Sequence, residues 1–368
     1  MAANRRPTLA DVAREVGVSA KTVSRVLNED GPASAHTRQQ VLAAVAKLGF
    51  QPNLMARNIR VGGPDTTIGL VIPDLANPFF GAVARSIEDT VRDRGLTLLM
   101  GSSADDPDRE RALTDTFLAR RISILMVAPA VDATHSHLKT HRTAGLPVVF
   151  LDRPGAGLAT DSVVSSNRAG AHDGVAHLIS HGHRRIGFIG DLPTKLYTRR
   201  ERLAGYRTAL EEAGLPHDRS LVTNAHDQHG ASTATSQLLS LPDPPTALFA
   251  GNNLIALGIV TELARSGRKD IAVVAFDDIA LAEALEPALT VVAQDPEEIG
   301  RAAAATALAR LDGDRSRART ITVPTRLIVR GSGEQPAPAI AGGMTGAAVA
   351  QPQNELHRAA VDTPPQRT

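Results

Sequence analysis

Residues 8–28 read TLADVAREVGVSAKTVSRVLN, and this stretch decides the fold of the amino-terminal region. Apolar residues recur along its first half at the spacing of one helix face. Thr8 is suited to cap the start of that helix, and Gly17 supplies the left-handed residue that ends it. Ser19 is a second amino-terminal cap only two residues later, so the next helix starts after a very tight turn. Two short helices at this spacing predict a helix-turn-helix.

The second helix of the pair, residues 20–28, has a polar face opposite its apolar one. Lys21, Arg25 and Asn28 share that face, which is free to enter a major groove. Arg25 is able to pair with guanine or with a phosphate. A third helical pattern follows and ends at Gly49. A generic three-helix bundle would explain the apolar spacing, but not the tight turn, the polar face and the local charge together.

The positive charge of the chain is concentrated in this head. Residues 1–63 hold nine Lys and Arg against four Asp and Glu, which leaves 31 against 35 in the rest of the 368 residues. A basic head on a mildly acidic body predicts contact with a polyanion. The chain has no cysteine, which excludes disulfides, thiolate metal sites and cysteine nucleophiles. Without a readable membrane span or secretion signal, we expect a cytoplasmic protein with no membrane partner.

Residues 53–60 form a short helical pattern that Asn53 is able to cap and that a Gly-Gly-Pro stretch ends. Alone, so short a helix is marginal in water. We therefore expect it to order only against DNA and its twin in a dimer. Arginines and aliphatic side chains of this kind suit a minor groove. From composition alone, an ordinary flexible linker explains the segment equally well.

The head and this segment together resemble the lactose-repressor (LacI/GalR) family of bacterial transcription regulators. The resemblance rests on residues 8–28 and on GFQPNLMARNI at 49–59, and it extends to about residue 333. It implies that Ala20, Lys21 and Arg25 read bases, and that Ile59 lies where the family places a wedging leucine. The DNA-binding residues that we predict are Thr8, Ser19, Ala20, Lys21, Thr22, Ser24, Arg25, Asn28, Asn53, Ala56, Arg57 and Ile59.

From Thr66 onward the pattern changes to short β-rich runs that alternate with amphipathic helices. The predicted strands are 68–72, 97–100, 124–127, 148–151, 185–189, 220–223, 247–250 and 271–275, and the predicted helices are 80–94, 108–120, 132–144, 167–181, 200–213, 230–240 and 253–265. This alternation predicts parallel sheets covered by helices on both faces. Two such α/β units in tandem predict a clamshell that holds a ligand between its lobes.

Ligands of open α/β sheets bind at the carboxyl ends of the strands, so the polar and aromatic residues there are our candidates. The body resembles the periplasmic sugar-binding-protein fold, and several of its motifs are similar to those of ribose-binding proteins. Ala225 and Asn253 stand where the family usually has an aromatic residue and an aspartate. The ligand-binding residues that we predict are Asn77, Phe79, Phe80, Asp152, Arg153, Arg200, Arg202, Asn252, Asp277 and Gln294.

No enzymatic motif is readable: there is no nucleophile elbow, no phosphate-binding P-loop and no complete dinucleotide fingerprint. We therefore predict no catalytic residues, no cofactor and no metal, and we interpret His177, His181 and His183 as structural residues. The predicted domains are a helix-turn-helix head at 1–52, a hinge at 53–65, a two-lobed α/β body of two doubly wound parallel sheets at 66–333, and a disordered tail at 334–368.

The leading hypothesis is a homodimeric repressor of carbohydrate-metabolism genes. Two heads would bind a pseudo-palindromic double-stranded DNA operator, and a small sugar in the cleft would control that binding. Two alternatives remain open from the sequence. One is a regulator of the same fold that responds to a nucleoside or a purine. The other is a solute-capture protein whose head docks proteins and binds no DNA.

Overall fold

The computed structural model describes residues 7–28, 32–51 and 66–338. The head consists of three helices, α1 (Leu9–Val16), α2 (Ala20–Asn28) and α3 (Ala35–Leu48). They enclose a small apolar core that includes Val12, Val23 and Val41, all fully buried. An ion pair of 2.6 Å between Lys47 Nζ and Glu15 Oε1 also joins α3 to α1. The arrangement confirms the predicted helix-turn-helix.

Local capping sets the tight turn of the head. Asp11 Oδ2 accepts hydrogen bonds from the backbone nitrogen and hydroxyl of Thr8, at 2.8 and 2.6 Å. Gly17 has φ of +72° and ends α1 in the left-handed conformation that glycine adopts without steric cost. Ser19 Oγ accepts from the backbone nitrogen of Thr22 at 3.1 Å, which caps α2. Each of these bonds follows from residue type and spacing along the chain.

The first lobe of the body, the N-lobe, is built on a sheet in which all six strands are parallel, in the order β11-β5-β4-β3-β1-β2. Its strands are β1 (Thr67–Ile72), β2 (Thr97–Ser102), β3 (Ile124–Val127), β4 (Val148–Leu151), β5 (Asp161–Ser165) and β11 (Thr320–Val323). Its helices are α4 (Pro78–Val91), α5 (Pro107–Ala119), α6 (Lys139–Thr143) and α11 (Pro296–Leu311). Buried apolar residues on both faces of the sheet form its core.

The second lobe, the C-lobe, has a sheet in the order β12-β10-β9-β8-β6-β7, in which only β12 runs antiparallel. Its strands are β6 (Ile186–Gly190), β7 (Val222–Asn224), β8 (Ala247–Ala250), β9 (Ala272–Phe276), β10 (Thr290–Ala293) and β12 (Arg326–Ile328). Its helices are α7 (Asn167–Ser180), α8 (Tyr197–Glu212), α9 (Gln228–Leu239) and α10 (Asn253–Ser266). Together the two lobes confirm the predicted fold class.

The chain crosses between the lobes three times, at residues 166, 294–295 and 324–325. The prediction of two units in tandem is therefore wrong, because α11 and β11 return to the N-lobe after the C-lobe has begun. The crossings are hydrogen-bonded to one another. Ser165 Oγ donates to Gln294 Oε1, and the backbone nitrogen of Thr325 donates to Ser166 Oγ at 2.8 Å.

The start of the predicted disordered tail is ordered. Glu334 accepts hydrogen bonds from Thr290 Oγ1 at 2.9 Å and pairs with His177 Nε2. The carbonyl of Gln335 lies 2.9 Å from His183 Nε2. The tail prediction is therefore wrong for residues 334–338, because the polar groups of the C-lobe hold the chain there. His177 and His183, two of the histidines that we interpret as structural, make these contacts.

Four predicted DNA-binding residues, Asn53, Ala56, Arg57 and Ile59, lie outside the described residues, as does the rest of the predicted hinge and the chain beyond residue 338. Among the residues that the structure does describe, no helix combines the length and the apolar character needed to cross a bilayer.

Candidate DNA-reading surface and interlobe site

The start of α2 presents the predicted base-reading residues to solvent. Ser19, Ala20 and Lys21 are exposed at its first turn, whereas Val23 and Val26 are buried against the rest of the head. A helix that presents its first turn in this way is able to place these side chains against base edges in a major groove. The ammonium group of Lys21 would supply hydrogen-bond donors there.

The other predicted residues of α2 are half-buried, and several are already engaged. Asn28 Nδ2 donates to Ser24 Oγ at 3.2 Å, and the hydroxyls of Thr22 and Ser19 lie 2.9 Å apart. Arg25 is half-buried in the last turn of the helix. Thr8 uses its hydroxyl in the cap described above, so in this state it stabilises α1. These residues shape the reading surface, and Lys21 is its most accessible cation.

The carboxyl ends of the strands in the two lobes face each other and form the interlobe site. Four aspartates follow these strands in the left-handed backbone region, with φ between +54° and +72°: Asp105, Asp132, Asp152 and Asp277. Aspartate is one of the few residues that tolerates this conformation, which is frequent at functional sites. These four aspartates, in strained backbone positions after the strands, place their carboxylates near the space between the lobes.

On the N-lobe side, Arg153 links two of these aspartates. Its Nη1 donates to Asp105 Oδ1 at 2.7 Å and its Nε donates to Asp152 Oδ2 at 3.2 Å, while Arg153 and Asp152 are each only 6% exposed. The charges of both carboxylates raise the pKa of the guanidinium, against the opposing effect of burial. A buried arginine held in this way presents fixed donors to a ligand.

On the C-lobe side, Asp191 and Asn252 form the matching polar pair. Asn252 Nδ2 donates to Asp191 Oδ2 at 2.8 Å, and Asn252 Oδ1 caps α10 through the nitrogen of Ile255 at 2.9 Å. Burial raises the pKa of Asp191 to about 6, and the negative charge of Asp105 adds to this increase.

Arg202 is the buried cation of the C-lobe. It is 4% exposed, its Nε donates to Asn167 Oδ1 at 2.8 Å, and its Nη1 donates to the carbonyl of Gly251 at 2.6 Å. Its guanidinium lies 3.7 Å from the centroid of the Phe276 ring. Asp277 Oδ2 lies 3.8 Å from Nη1, and burial raises the pKa of Asp277 while Arg202 lowers it.

Asparagines from the two lobes meet directly. Asn253 Nδ2 donates to Asn77 Oδ1 at 2.9 Å, and the same oxygen caps α4 through the nitrogen of Phe79 at 3.1 Å. Gln294 Nε2 donates to Asp277 Oδ1 at 2.5 Å at one of the crossings. A cavity of about 260 Å³ opens beside these groups, lined by residues that include Phe79, Asn253, Asp277 and Gln294.

Two predicted ligand residues lie elsewhere. Phe80 is 5% exposed and packs in the core of the N-lobe, where its ring meets that of Phe79 edge to face at 5.0 Å. Arg200 is exposed near the start of α8. The structure brings together the other eight predicted ligand residues: Asn77, Phe79, Asp152, Arg153, Arg202, Asn252, Asp277 and Gln294.

Sequence reasoning missed four residues of the site: Asp105, Asn167, Asp191 and Tyr197. Asp191 directly follows β6, so the rule of strand ends would have found it. Tyr197 is half-buried at the start of α8, and its pKa is raised by burial together with the charges of Glu201 and Asp152. In the sequence, Tyr197 could have been noticed only by its rarity, since the chain has only two tyrosines.

The interlobe site contains acceptors, donors and two half-buried aromatic rings, Phe79 and Tyr197, a combination that matches a small polyhydroxylated ligand. Carboxylate and amide oxygens accept from hydroxyl groups, whereas Arg153 and the asparagine amides donate to them. Among the described residues, no group of three or more His, Asp or Glu side chains is arranged to hold a metal ion.

Comparison with known proteins agrees with both halves of this geometry. Residues 8–53 match the family described as bacterial regulatory proteins, lacI family, and residues 175–333 match the periplasmic binding protein-like domain. The chain is 32% identical to the HTH-type transcriptional regulator DegA of Bacillus subtilis over 333 residues, which cover 89% of this chain and 98% of DegA.

Two solved structures are similar over the same length. A complex of the transcriptional regulator CelR with cellobiose is 30% identical, with a TM-score of 0.65, and covers 89% of this chain and 100% of its own. A lac repressor dimer bound to operator and the anti-inducer ONPF is 26% identical, with a TM-score of 0.74, and covers 89% and 99%. The chain therefore belongs to the lacI family of bacterial regulatory proteins.

Proposed function

We propose that this DNA-binding transcriptional regulator is a cytoplasmic homodimeric repressor whose operator binding is controlled by a small sugar in the interlobe site. The observation that carries the proposal is the set of buried and half-buried polar groups that line the space between the two lobes. Asp152 and Arg153 come from the N-lobe, and Asp191, Asn252 and Asp277 come from the C-lobe. Carbohydrate hydroxyls are the partners that satisfy such a mixture of acceptors and donors.

Control of DNA binding requires that the ligand prefer one arrangement of the lobes. The Asn253–Asn77 bond and the hydrogen-bonded crossings are the contacts that a change in lobe closure would alter. We propose that this change reaches the head through residues 53–65, which join head and body. Two heads in a dimer would read the two half-sites of a pseudo-palindromic operator. Similarity to the lac repressor dimer on operator supports this arrangement.

A two-part experiment on the full chain tests the function. Selection from a random duplex library gives the DNA site, and calorimetry against a panel of sugars, nucleosides and purines gives the ligand class. We expect a sugar to bind and to change the affinity of the protein for the selected duplex. A nucleoside or purine as the only ligand would refute the sugar assignment, and failure to enrich any duplex would refute the proposed operator binding.

Lys21→Ala tests the reading surface. Because Lys21 is the exposed cation at the start of α2, its loss should relax base preference at one position of each half-site and cost about 1–3 kcal/mol there. Lys269→Ala removes the same charge from the exposed surface of the C-lobe and serves as the control. An unchanged base preference in the Lys21 variant would show that α2 does not read the site as proposed.

A further inference from the structure

The N-lobe has a charged edge that the interlobe site does not use. Its six strands are parallel, so all of them begin at one end of the sheet, opposite the cleft. We call this end, with the segments that precede its strands, the amino edge. The chain also enters β1 here at Thr67, one residue after the segment 52–65, so the DNA-reading head is attached to the same edge.

The amino edge carries several arginines whose side chains do not contribute to holding the described fold together. These side chains are exposed and make no hydrogen bond or ion pair with any residue that the structure describes: Arg120, Arg121, Arg142, Arg315 and Arg317. Arg120 and Arg121 precede β3, Arg142 lies in α6 before β4, and Arg315 and Arg317 precede β11. Five unpaired cations on one edge create a concentrated positive surface.

Most acids of the amino edge are neutralised by other arginines. Arg310 donates to Asp161 at 2.8 and 3.0 Å and lies 3.6 Å from Asp314. Arg94 donates to Asp312 at 2.5 Å. Beside these pairs, the exposed carboxylate of Asp93 adds one negative charge, which is small against the positive charge of the five unpaired arginines.

A cavity of about 220 Å³ lies among the same arginines. Arg142, Arg310 and Arg315 line it, together with one acid, Asp314, which lies 3.6 Å from Arg310, and with Thr143, Thr160 and Ser316. Guanidinium groups bind phosphate oxygens with charge-assisted hydrogen bonds, and those of Arg142 and Arg315 have no partner among the described residues. The hydroxyls of Thr143, Thr160 and Ser316 already donate to protein oxygens. The composition of this cavity therefore suits a phosphate group.

Covalent geometry places DNA near this edge. Residues 52–65 are fourteen in number, and a chain of that length spans at most about 50 Å when fully extended. We propose that the amino edge is a second DNA-contact surface, which binds backbone phosphates of the duplex flanking the site that the head reads. The proposal rests on the DNA-binding function, and it predicts contacts that position the protein without reading sequence.

The test compares two duplexes that carry the site selected from the random library, with flanks of either two or twelve base pairs on each side. We expect the wild-type chain to bind the long duplex more tightly and with a steeper dependence on salt. Arg315→Ala/Arg317→Ala should lose that gain, and its salt slope on the long duplex should fall by about 1.8 per subunit, since each phosphate contact contributes about 0.9. Binding to the short duplex should not change.

Arg184→Ala/Arg219→Ala is the matched control. Both residues are exposed, precede β6 and β7, and therefore lie at the end of the C-lobe farthest from the amino edge. We expect this variant to behave like wild type on both duplexes. Equal slopes for the wild type on short and long duplexes would overturn the proposal, as would equal losses in the two double variants. Either result would still be compatible with recognition of the site by the head. If the wild type bound neither duplex, recognition of the site by the head would itself be refuted.

Discussion

Asp191 offers a direct test of the interlobe site, because its carboxylate is held in a desolvated position. Burial raises its pKa from 3.8 to about 6, and Asp105 adds to the increase while Arg153 and His226 oppose it. Such a rise corresponds to about 3 kcal/mol of free energy against the ionised form in the folded state. The folded state holds this proton to a higher pH than the unfolded state, so stability is lost as pH rises from about 4 through about 6.

Asp191→Asn removes this ionisation. The wild type already bears about half of the penalty at pH 5 and all of it at pH 8, so the stability advantage of the variant should grow by about 1.4 kcal/mol between these values. The amide keeps only one acceptor oxygen, so it loses the bond from either Asn252 Nδ2 or the backbone nitrogen of Leu192, at a cost of about 1 kcal/mol. Because that cost applies at both pH values, it does not affect the increase in the stability advantage of the variant between pH 5 and pH 8. Urea unfolding at pH 5 and pH 8 measures both quantities.

Asp93→Asn is the control for this experiment, since it removes an exposed carboxylate of the N-lobe. We expect no comparable growth of its stability difference with pH. If the free energies of unfolding of the wild type and Asp191→Asn differed by the same amount at pH 5 and pH 8, the conclusion that the Asp191 carboxylate is desolvated would be refuted. Calorimetry with the sugar found in the panel should show at least a tenfold loss of affinity in Asp191→Asn, because a ligand hydroxyl would lose its charged acceptor.

Two further variants probe the same site. Arg202→Met should lower the free energy of unfolding by about 3 kcal/mol, because Asp277 would remain buried without its cation, and a loss below about 1 kcal/mol in urea unfolding would contradict this. Asn253→Asp removes the donor to Asn77 and adds a carboxylate beside Asp277, so ligand affinity measured by calorimetry should fall about tenfold. Asn253→Ser stays neutral and should lose less; equal losses would exclude charge repulsion as the cause.

Local features of the fold were predictable from the sequence. The caps Thr8 and Ser19 and the stop at Gly17 act on neighbouring backbone groups, so residue type and spacing suffice to place α1 and α2. The pattern of alternating strands and helices predicted most elements of the body for the same reason. It failed for α11, whose buried apolar residues Ile299, Ala303, Ala304 and Ala307 pack in the N-lobe. Their spacing identifies a buried helix face but carries no information on which lobe covers it.

The site was predictable where function coincides with a strand end. Asp152, Asn252 and Asp277 were found by that rule, and Asp191 satisfies it equally. Phe80 shows its limit, because the side chain one position after Phe79 points into the core of the N-lobe. The pairing of Arg153 with Asp105 also lay beyond the sequence, since it joins residues 48 positions apart on different strand exits.

The triple passage of the chain between the lobes has a consequence for genetics. Neither lobe is encoded by one uninterrupted stretch, so no single stop codon within the body removes one lobe and spares the other. Truncation after residue 293 would strip α11 and β11 from the first lobe and β12 from the second. Nonsense codons between residues 294 and 335 should therefore behave as complete losses of the protein, because they also remove the segment that His177 and His183 anchor.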